Sequence, residues 1–125
     1  MPEKVKIRED MQIIQIDSCG HVSADDLNGS LEAVIKISDE RGINKVLVDA
    51  MRLDTLPSAG FIYQFGESLT KAFVRGVQFA IVIPQNSKAD HRFMETIAQN
   101  RGGLFMDFHY REDALDWLMR EPNFM

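Results

Sequence analysis

VLVDAMRLDTLPSAGF, residues 46–61, joins an apolar run to the start of a helical pattern through a short loop. The run begins one residue earlier, as KVLVDA, and is nearly continuous in apolar residues, which is typical of a strand covered on both faces of a sheet. Apolar residues then recur at helical spacing from Ser58 to Phe73. Because a strand followed by a helix is the repeating unit of α/β folds, this stretch predicts the fold class.

Four further strands are predicted on either side of this unit. They are KVKIR, MQIIQID, VQFAIVI and LFMDF, at residues 4–8, 11–17, 77–83 and 104–108. The short pair Glu9-Asp10 between the first two predicts a hairpin, and CGH at residues 19–21 ends the second strand. VQFAIVI is the strongest strand pattern and is expected at the centre of the sheet.

Helices are predicted between the later strands and after the last one. Ser23 with Asp26 matches a capping box, and Arg41 followed by Gly42 is a favourable helix end. The remaining helices begin near Ser58, Ser87 and Glu112. The element order is therefore β-β-α-β-α-β-α-β-α, which predicts an α/β domain with a mixed five-stranded sheet and about four helices.

The composition limits the cellular setting and the classes of partner. A chain of 125 residues predicts a single domain, residues 1–125, with one core. A net charge of −5 argues against a broad nucleic-acid-binding surface. We find no apolar stretch of about 20 residues and no signal peptide pattern. The single cysteine, Cys19, fits a reducing compartment. We therefore expect a cytoplasmic protein.

No catalytic or metal-binding motif is evident in the sequence. Cys19 and His21 are two residues apart without an orienting third group, and the histidines lack metal-ligand spacing. Phosphate-binding and nucleophile-elbow glycine motifs are missing from the sequence. Asp49 and Asp54 flank the loop and could bind a cation or exchange protons, although acids in loops are more often caps. We expect a non-enzyme without metal or cofactor.

The same stretch, with DALDWL at 113–118 and NRGG at 100–103, resembles the STAS domain of anti-sigma-factor antagonists, in particular its SpoIIAA-like branch. That branch is grouped with CRAL-TRIO lipid-binding domains, and the resemblance extends over about residues 5–118. It implies the STAS-type fold, and it implies a serine at the turn that a partner kinase phosphorylates. The matching residue is Ser58, with Thr55 as a weaker second candidate.

Two interpretations of Ser58 remain open at this stage. A phosphate there would meet free N–H groups at a helix N-terminus and would add about −1.5 to −2 charge. Alternatively the serine is only a helix cap, which is typically worth about 1 kcal/mol. Pro57 and Ala59 stand where the family has an aspartate and a second hydroxyl residue, which favours the cap.

The helix that Ser58 opens is rich in aromatic residues. By default its apolar side packs onto the sheet. The family resemblance implies a second role, as a movable cover over an apolar pocket or as a membrane-docking surface. Gly60 and Gly66 would ease bending. The candidate ligand-binding residues are Phe61, Ile62, Phe65, Leu69 and Phe73.

The sequence thus predicts a non-catalytic binding or regulatory domain. Its first candidate function is binding of a hydrophobic small molecule, a lipid or a membrane surface through residues 58–73. The alternative is a protein-interaction switch that phosphorylation of Ser58 controls. An exposed edge strand or helix face would also allow a homodimer, and the sequence leaves the oligomeric state open.

Overall fold

A computed structural model describes residues 3–53, 74, 76–84 and 105–120. The strands are β1 Glu3–Arg8, β2 Ile13–Gly20, β3 Lys45–Leu53, β4 Gln78–Val82 and β5 Phe105–Phe108. The helices of the described part are α1 Ala24–Arg41 and α2 Arg111–Met119. The helices predicted for residues 58–73 and from Ser87 onward lie outside the described residues.

The five strands form one mixed sheet in chain order, β1-β2-β3-β4-β5. β1 and β2 are antiparallel, whereas β2, β3, β4 and β5 pair in parallel. An antiparallel pair needs only a short turn, and parallel neighbours need a longer crossover, which α1 supplies between β2 and β3. The predicted mixed five-stranded sheet is confirmed, with the predicted opening hairpin at one edge.

Three predicted element ends were wrong by two or more residues. The hairpin turn spans residues 9–12, so Met11 lies in the turn and β2 begins at Ile13. Gln12 has a φ of 54°, and the N–H of Met11 donates to the carbonyl oxygen of Arg8 at 3.2 Å. β2 continues through Cys19 to Gly20, and β3 continues past residue 50 to Leu53. Both strands are longer than predicted because their ends pair with each other after a register shift.

The sheet carries apolar residues on both faces. Val46 and Leu47 are adjacent in β3, so their side chains point to opposite faces, and both are 0% exposed. Val46 packs with Leu31 and Val34 of α1. Leu47 packs with Ala114 and Leu118 of α2 on the other face. The expectation that KVLVDA is buried on both faces is confirmed.

Both ends of α1 are as predicted. The Ser23 hydroxyl accepts from the N–H of Asp26 at 3.1 Å, and the Asp26 carboxylate accepts from the N–H of Ser23 at 3.0 Å. The bonds from the backbone and the side chain of Ser23 hold the pKa of Asp26 below its usual value. Gly42 ends the helix with a φ of 70°, and its N–H donates to the carbonyl oxygen of Ser38 at 2.9 Å.

Candidate functional site

The carboxyl ends of the parallel strands β2 to β5 lie at one edge of the sheet, which we call the carboxyl edge. β3 reaches this edge at Leu53, directly before the segment that carries the predicted site residues. Those residues lie outside the described part of the chain: Thr55, Ser58, Phe61, Ile62, Phe65, Leu69 and Phe73. Their roles stay predictions.

Asp49 does not flank a loop, because it lies within β3. Its Oδ1 accepts a hydrogen bond from the N–H of Met51 at 3.1 Å. The carboxylate therefore provides a hydrogen-bond acceptor for a backbone N–H of β3, at the point where the pairing of β3 with β2 becomes irregular. Asp54, the other acid considered for cation binding or proton exchange, lies outside the described residues.

The described cysteine and histidines show no catalytic or metal-binding arrangement. Cys19 is a free, exposed thiol near the end of β2. The Nδ1 atom of His109 lies 3.2 Å from the carbonyl oxygen of Ile83, a contact that ties the end of β5 to β4. Within the described ranges, no cluster of three or more histidine, cysteine, aspartate or glutamate residues could hold a metal ion.

A groove of about 330 Å³ lies on the α2-facing side of the sheet, next to the carboxyl edge. We call it the polar groove. Charged and amide side chains from β1, β2, β3 and α2 line it: Lys4, Lys6, Gln15, Asp17, Asp49, Arg52 and Arg111. The same face of the sheet is therefore charged in the polar groove and apolar next to it, where α2 packs on the sheet.

Gln15 organises one side of the polar groove. Only 2% of this residue is exposed, and both the oxygen and the nitrogen of its side-chain amide have hydrogen-bond partners. Its Oε1 accepts from Nη1 of Arg8 at 3.0 Å and from Nη2 of Arg111 at 3.1 Å. Its Nε2 donates to Oδ1 of Asp17 at 2.8 Å. Two guanidinium groups thus converge on one neutral oxygen, which leaves the charge of Arg111 uncompensated, whereas Nε of Arg8 also pairs with Oδ1 of Asp10 at 3.5 Å.

Asp17 lies opposite Lys4 on β1 and beside Asp49 on β3. Its Oδ2 pairs with Nζ of Lys6 at 3.2 Å. Burial acts to raise the pKa of Asp17, but the hydrogen bonds from Gln15 and Lys6 and the charges of Lys6 and Arg111 together hold this pKa below its usual value. Asp17 is therefore ionised near neutral pH and keeps Lys6 in place.

The polar groove was not predicted from the sequence, where KVKIR served only as a strand pattern. The same alternation places Lys4, Lys6 and Arg8 on one face of β1, since side chains two residues apart point the same way. Arg111 could not be added from the sequence, because only the folded sheet brings it to Gln15.

On the opposite face, Glu3 links three elements. It is buried, and its carboxylate accepts hydrogen bonds from the hydroxyl of Ser18 on β2 and, at 2.6 Å, from that of Ser30 on α1. Within the described residues, no buried side-chain nitrogen or oxygen lacks a hydrogen-bond partner. This cluster fixes β1 against α1, and so fixes the strand that carries Lys4 and Lys6.

The geometry agrees with two solved structures over nearly the whole chain. An uncharacterized DUF3478-family protein from Shewanella loihica PV-4, described as having a SpoIIAA-like fold, gives a TM-score of 0.60 at 20% identity, with 93% of this chain and 91% of that chain covered. This chain has a SpoIIAA-like fold. The phosphorylated form of the Bacillus cell fate determinant SpoIIAA gives a TM-score of 0.59 at 11% identity, with 92% and 97% covered.

The SpoIIAA-like fold that the sequence resemblance implied is thereby confirmed, whereas the relation to CRAL-TRIO domains stays a prediction. The sequence matches no protein-family model and no curated protein. No helix in the described ranges is long and apolar enough to cross a bilayer.

Proposed function

We propose that the chain is a regulatory domain that acts by binding a protein partner at the carboxyl edge rather than by catalysis. The SpoIIAA-like fold carries this proposal, because one solved structure with a similar fold is that of a cell fate determinant in its phosphorylated form. The order of the strands adds support. β3 ends at Leu53 at the carboxyl edge, shortly before Ser58 in the sequence, and the loops that follow parallel strands commonly present functional groups.

The finer proposal is that phosphorylation of Ser58 controls this binding. A phosphate would add about −1.5 to −2 charge and three acceptor oxygens to a residue that follows Arg52, a cation of the polar groove, closely in the sequence. Such a change of charge can strengthen or weaken a partner interface without large motion. Thr55 is the weaker acceptor in the same segment.

The test is to purify the chain from its native host, to locate phosphorylated residues by peptide mass spectrometry, and to quantify captured partners. The native chain, Ser58→Glu and Ser58→Ala are compared, with Thr55→Ala as the matched hydroxyl control. We expect phosphoserine at Ser58, and Ser58→Glu and Ser58→Ala capturing different amounts of one partner. An unmodified Ser58 with identical capture by every variant would reject the switch.

A second candidate is the hydrophobic-ligand function predicted from residues 58–73. Its support is the aromatic sequence, together with the 81% exposed Val74 that follows it and the 45% exposed Met51 shortly before it. A hydrophobic molecule or a lipid surface would cover such apolar side chains. Candidate contacts are Phe61, Ile62, Phe65, Leu69 and Phe73.

Lipid binding is tested by native mass spectrometry of the purified chain and by thermal shift with a panel of fatty acids and phospholipids. We expect a bound lipid or a raised melting temperature, and Phe65→Ala should reduce the shift. Met119→Ala, an exposed apolar position on α2, is the control. A chain that carries no lipid and shows no shift with any member of the panel would reject this function.

A further inference from the structure

The polar groove has the opposite charge to the chain as a whole. The chain carries a net charge of −5. The described lining of the groove has four cations, Lys4, Lys6, Arg52 and Arg111, against the two carboxylates Asp17 and Asp49. A local excess of positive charge on an acidic protein concentrates anions at that place and repels the cationic segments of other molecules.

Three of these cations, Lys4, Arg52 and Arg111, form no ion pair within 4 Å among residues 3–53, 74, 76–84 and 105–120, although the charge of Arg111 acts on Asp17 over a longer distance. Lys6 is paired with Asp17. Arg111 donates only to the neutral oxygen of Gln15 in this part of the chain, and no ion pair there involves Lys4 or Arg52. Arg111 is also held in place by a residue that is 2% exposed, which lowers the entropy cost of using it to bind an anion.

The spacing of the cations matches an extended peptide. Lys4 and Lys6 are alternate residues of β1, so their backbones are about 6.8 Å apart along the strand. Alternate side chains of an extended peptide have the same spacing, so two carboxylates at such positions can each reach one lysine.

We propose that the polar groove binds an extended acidic segment of a partner protein, with its carboxylates at alternate positions facing Lys4 and Lys6 and flanked by Arg52 and Arg111. This inference rests on the proposed function, since it names the chemistry of the protein partner. Ion pairs at an exposed surface act mainly on specificity and association rate. Lys4, Arg52 and Arg111 then select against basic segments, because like charges repel.

The probe is a fluorescein-labelled decapeptide with glutamate at alternate positions, titrated against the full chain by fluorescence anisotropy. The matched peptide has glutamine in place of each glutamate. We expect saturable binding of the glutamate peptide that weakens as salt is raised, and at least tenfold weaker binding of the glutamine peptide. Equal binding of both peptides, or no binding of the glutamate peptide at low salt, would overturn the proposal.

The decisive variant is Lys4→Gln/Arg52→Gln, which removes two exposed cations without a described carboxylate partner. We expect it to bind the glutamate peptide about five- to tenfold more weakly with an unchanged melting temperature. Lys36→Gln/Arg120→Gln removes the same charge from exposed positions on α1 and after α2, and should bind within about twofold of the native chain. Equal losses of peptide affinity in both variants would show a nonspecific charge effect and would reject the polar groove as the binding site.

Other roles for the same residues give different results. Lysines on an edge strand also discourage pairing with a second chain. If Lys4→Gln/Arg52→Gln self-associates but binds the peptide normally, protection of the edge is their role and the proposal fails. If inorganic phosphate or citrate binds in the groove and the peptide does not, the site takes small anions and the proposal fails.

Capture of the natural partner separates this inference from the function on which it rests. If Lys4→Gln/Arg52→Gln captures the partner as well as the native chain does, the acidic segment is rejected and the regulatory function stands. If no variant captures any partner, the regulatory function is rejected, and peptide binding would then identify the groove as an acidic-segment site without a regulatory role.

Discussion

The buried carboxylate of Glu3 joins β1 to both β2 and α1 through hydrogen bonds. Replacing it by alanine leaves the hydroxyls of Ser18 and Ser30, which are 4% and 7% exposed as residues, without their acceptor. A buried polar group that loses its partner costs about 1–3 kcal/mol. We therefore expect Glu3→Ala to lower the free energy of unfolding by about 2 kcal/mol, measured by urea denaturation.

Two controls isolate the hydrogen bonds of Glu3. Glu3→Gln keeps one acceptor oxygen, so it should lose less stability than Glu3→Ala. Glu40→Ala removes an exposed glutamate from α1 and should change the free energy of unfolding by no more than about 0.5 kcal/mol. If Glu3→Ala is as stable as Glu40→Ala, the buried cluster does not contribute to stability.

Asp17 makes part of the stability depend on pH. Its pKa is lowered in the folded chain, so its contribution is present above the unfolded value of about 3.9 and is lost as pH falls through the folded value. Asp17→Asn should therefore be less stable than the native chain at pH 7. Because the side chain is 37% exposed, we expect a difference below about 1 kcal/mol.

The measurement is urea denaturation of both proteins from pH 7 down to about pH 3. The difference between the native chain and Asp17→Asn should shrink as the pH falls below about 4. Asp116→Asn, at an exposed position on α2, is the control and should show no such trend. A difference for Asp17→Asn that grows in acid would contradict the lowered pKa.

At the scale of the element, Gly29 inside α1 and Gly42 directly after it should respond to alanine in opposite directions. Gly42 has a φ of 70°, where alanine is strained, so Gly42→Ala should cost about 1 kcal/mol. Gly29 lies inside the helix, and an added methyl group would meet nothing within 4 Å. Gly29→Ala should therefore stabilise the protein by up to about 1 kcal/mol.

Thermal unfolding of both alanine variants beside the native chain measures this contrast. Each substitution adds the same methyl group near one helix, so the pair controls for composition and hydrophobicity. A rise in melting temperature for Gly29→Ala and a fall for Gly42→Ala is the expected pattern. Shifts of the same sign would mean that the left-handed conformation of Gly42 does not determine how α1 ends.

At the scale of the whole molecule, α2 depends on the sheet face that it covers. A helix of nine residues is marginal on its own, so its stability must come from packing. Leu118 is 0% exposed against the layer that holds Leu47 and Ala80. We expect Leu118→Ala to cost about 3 kcal/mol, through lost burial and a residual cavity.

The neighbouring Met119 is 47% exposed, so Met119→Ala is the matched control and should stay within about 0.5 kcal/mol of the native chain. Urea denaturation followed by Trp117 fluorescence is a suitable measurement, because that ring lies 5.9 Å from the ring of Phe108 on β5. Equal stabilities for the two variants would show that α2 does not contribute to the common core.

The element order and the local helix ends could be predicted because they depend on neighbours in the chain. The five strands were found from apolar runs, and the ends of α1 from the capping pair Ser23 and Asp26 and from Gly42. The extra length of β2 and β3 was not predictable in this way. Residues 19–20 look like a break, and they become strand only because the end of β3 pairs with them.

The sequence by itself determined the α/β class, the hairpin that opens the fold and the alternation that points Lys4, Lys6 and Arg8 to one face of β1. Periodicity and capping act over a few residues, so they can be read directly. Only the tertiary structure decided that Gln15 meets Arg111, 96 positions away, and that Glu3 meets Ser30. Such contacts depend on which strands are neighbours and in which register, and long-range burial sets both.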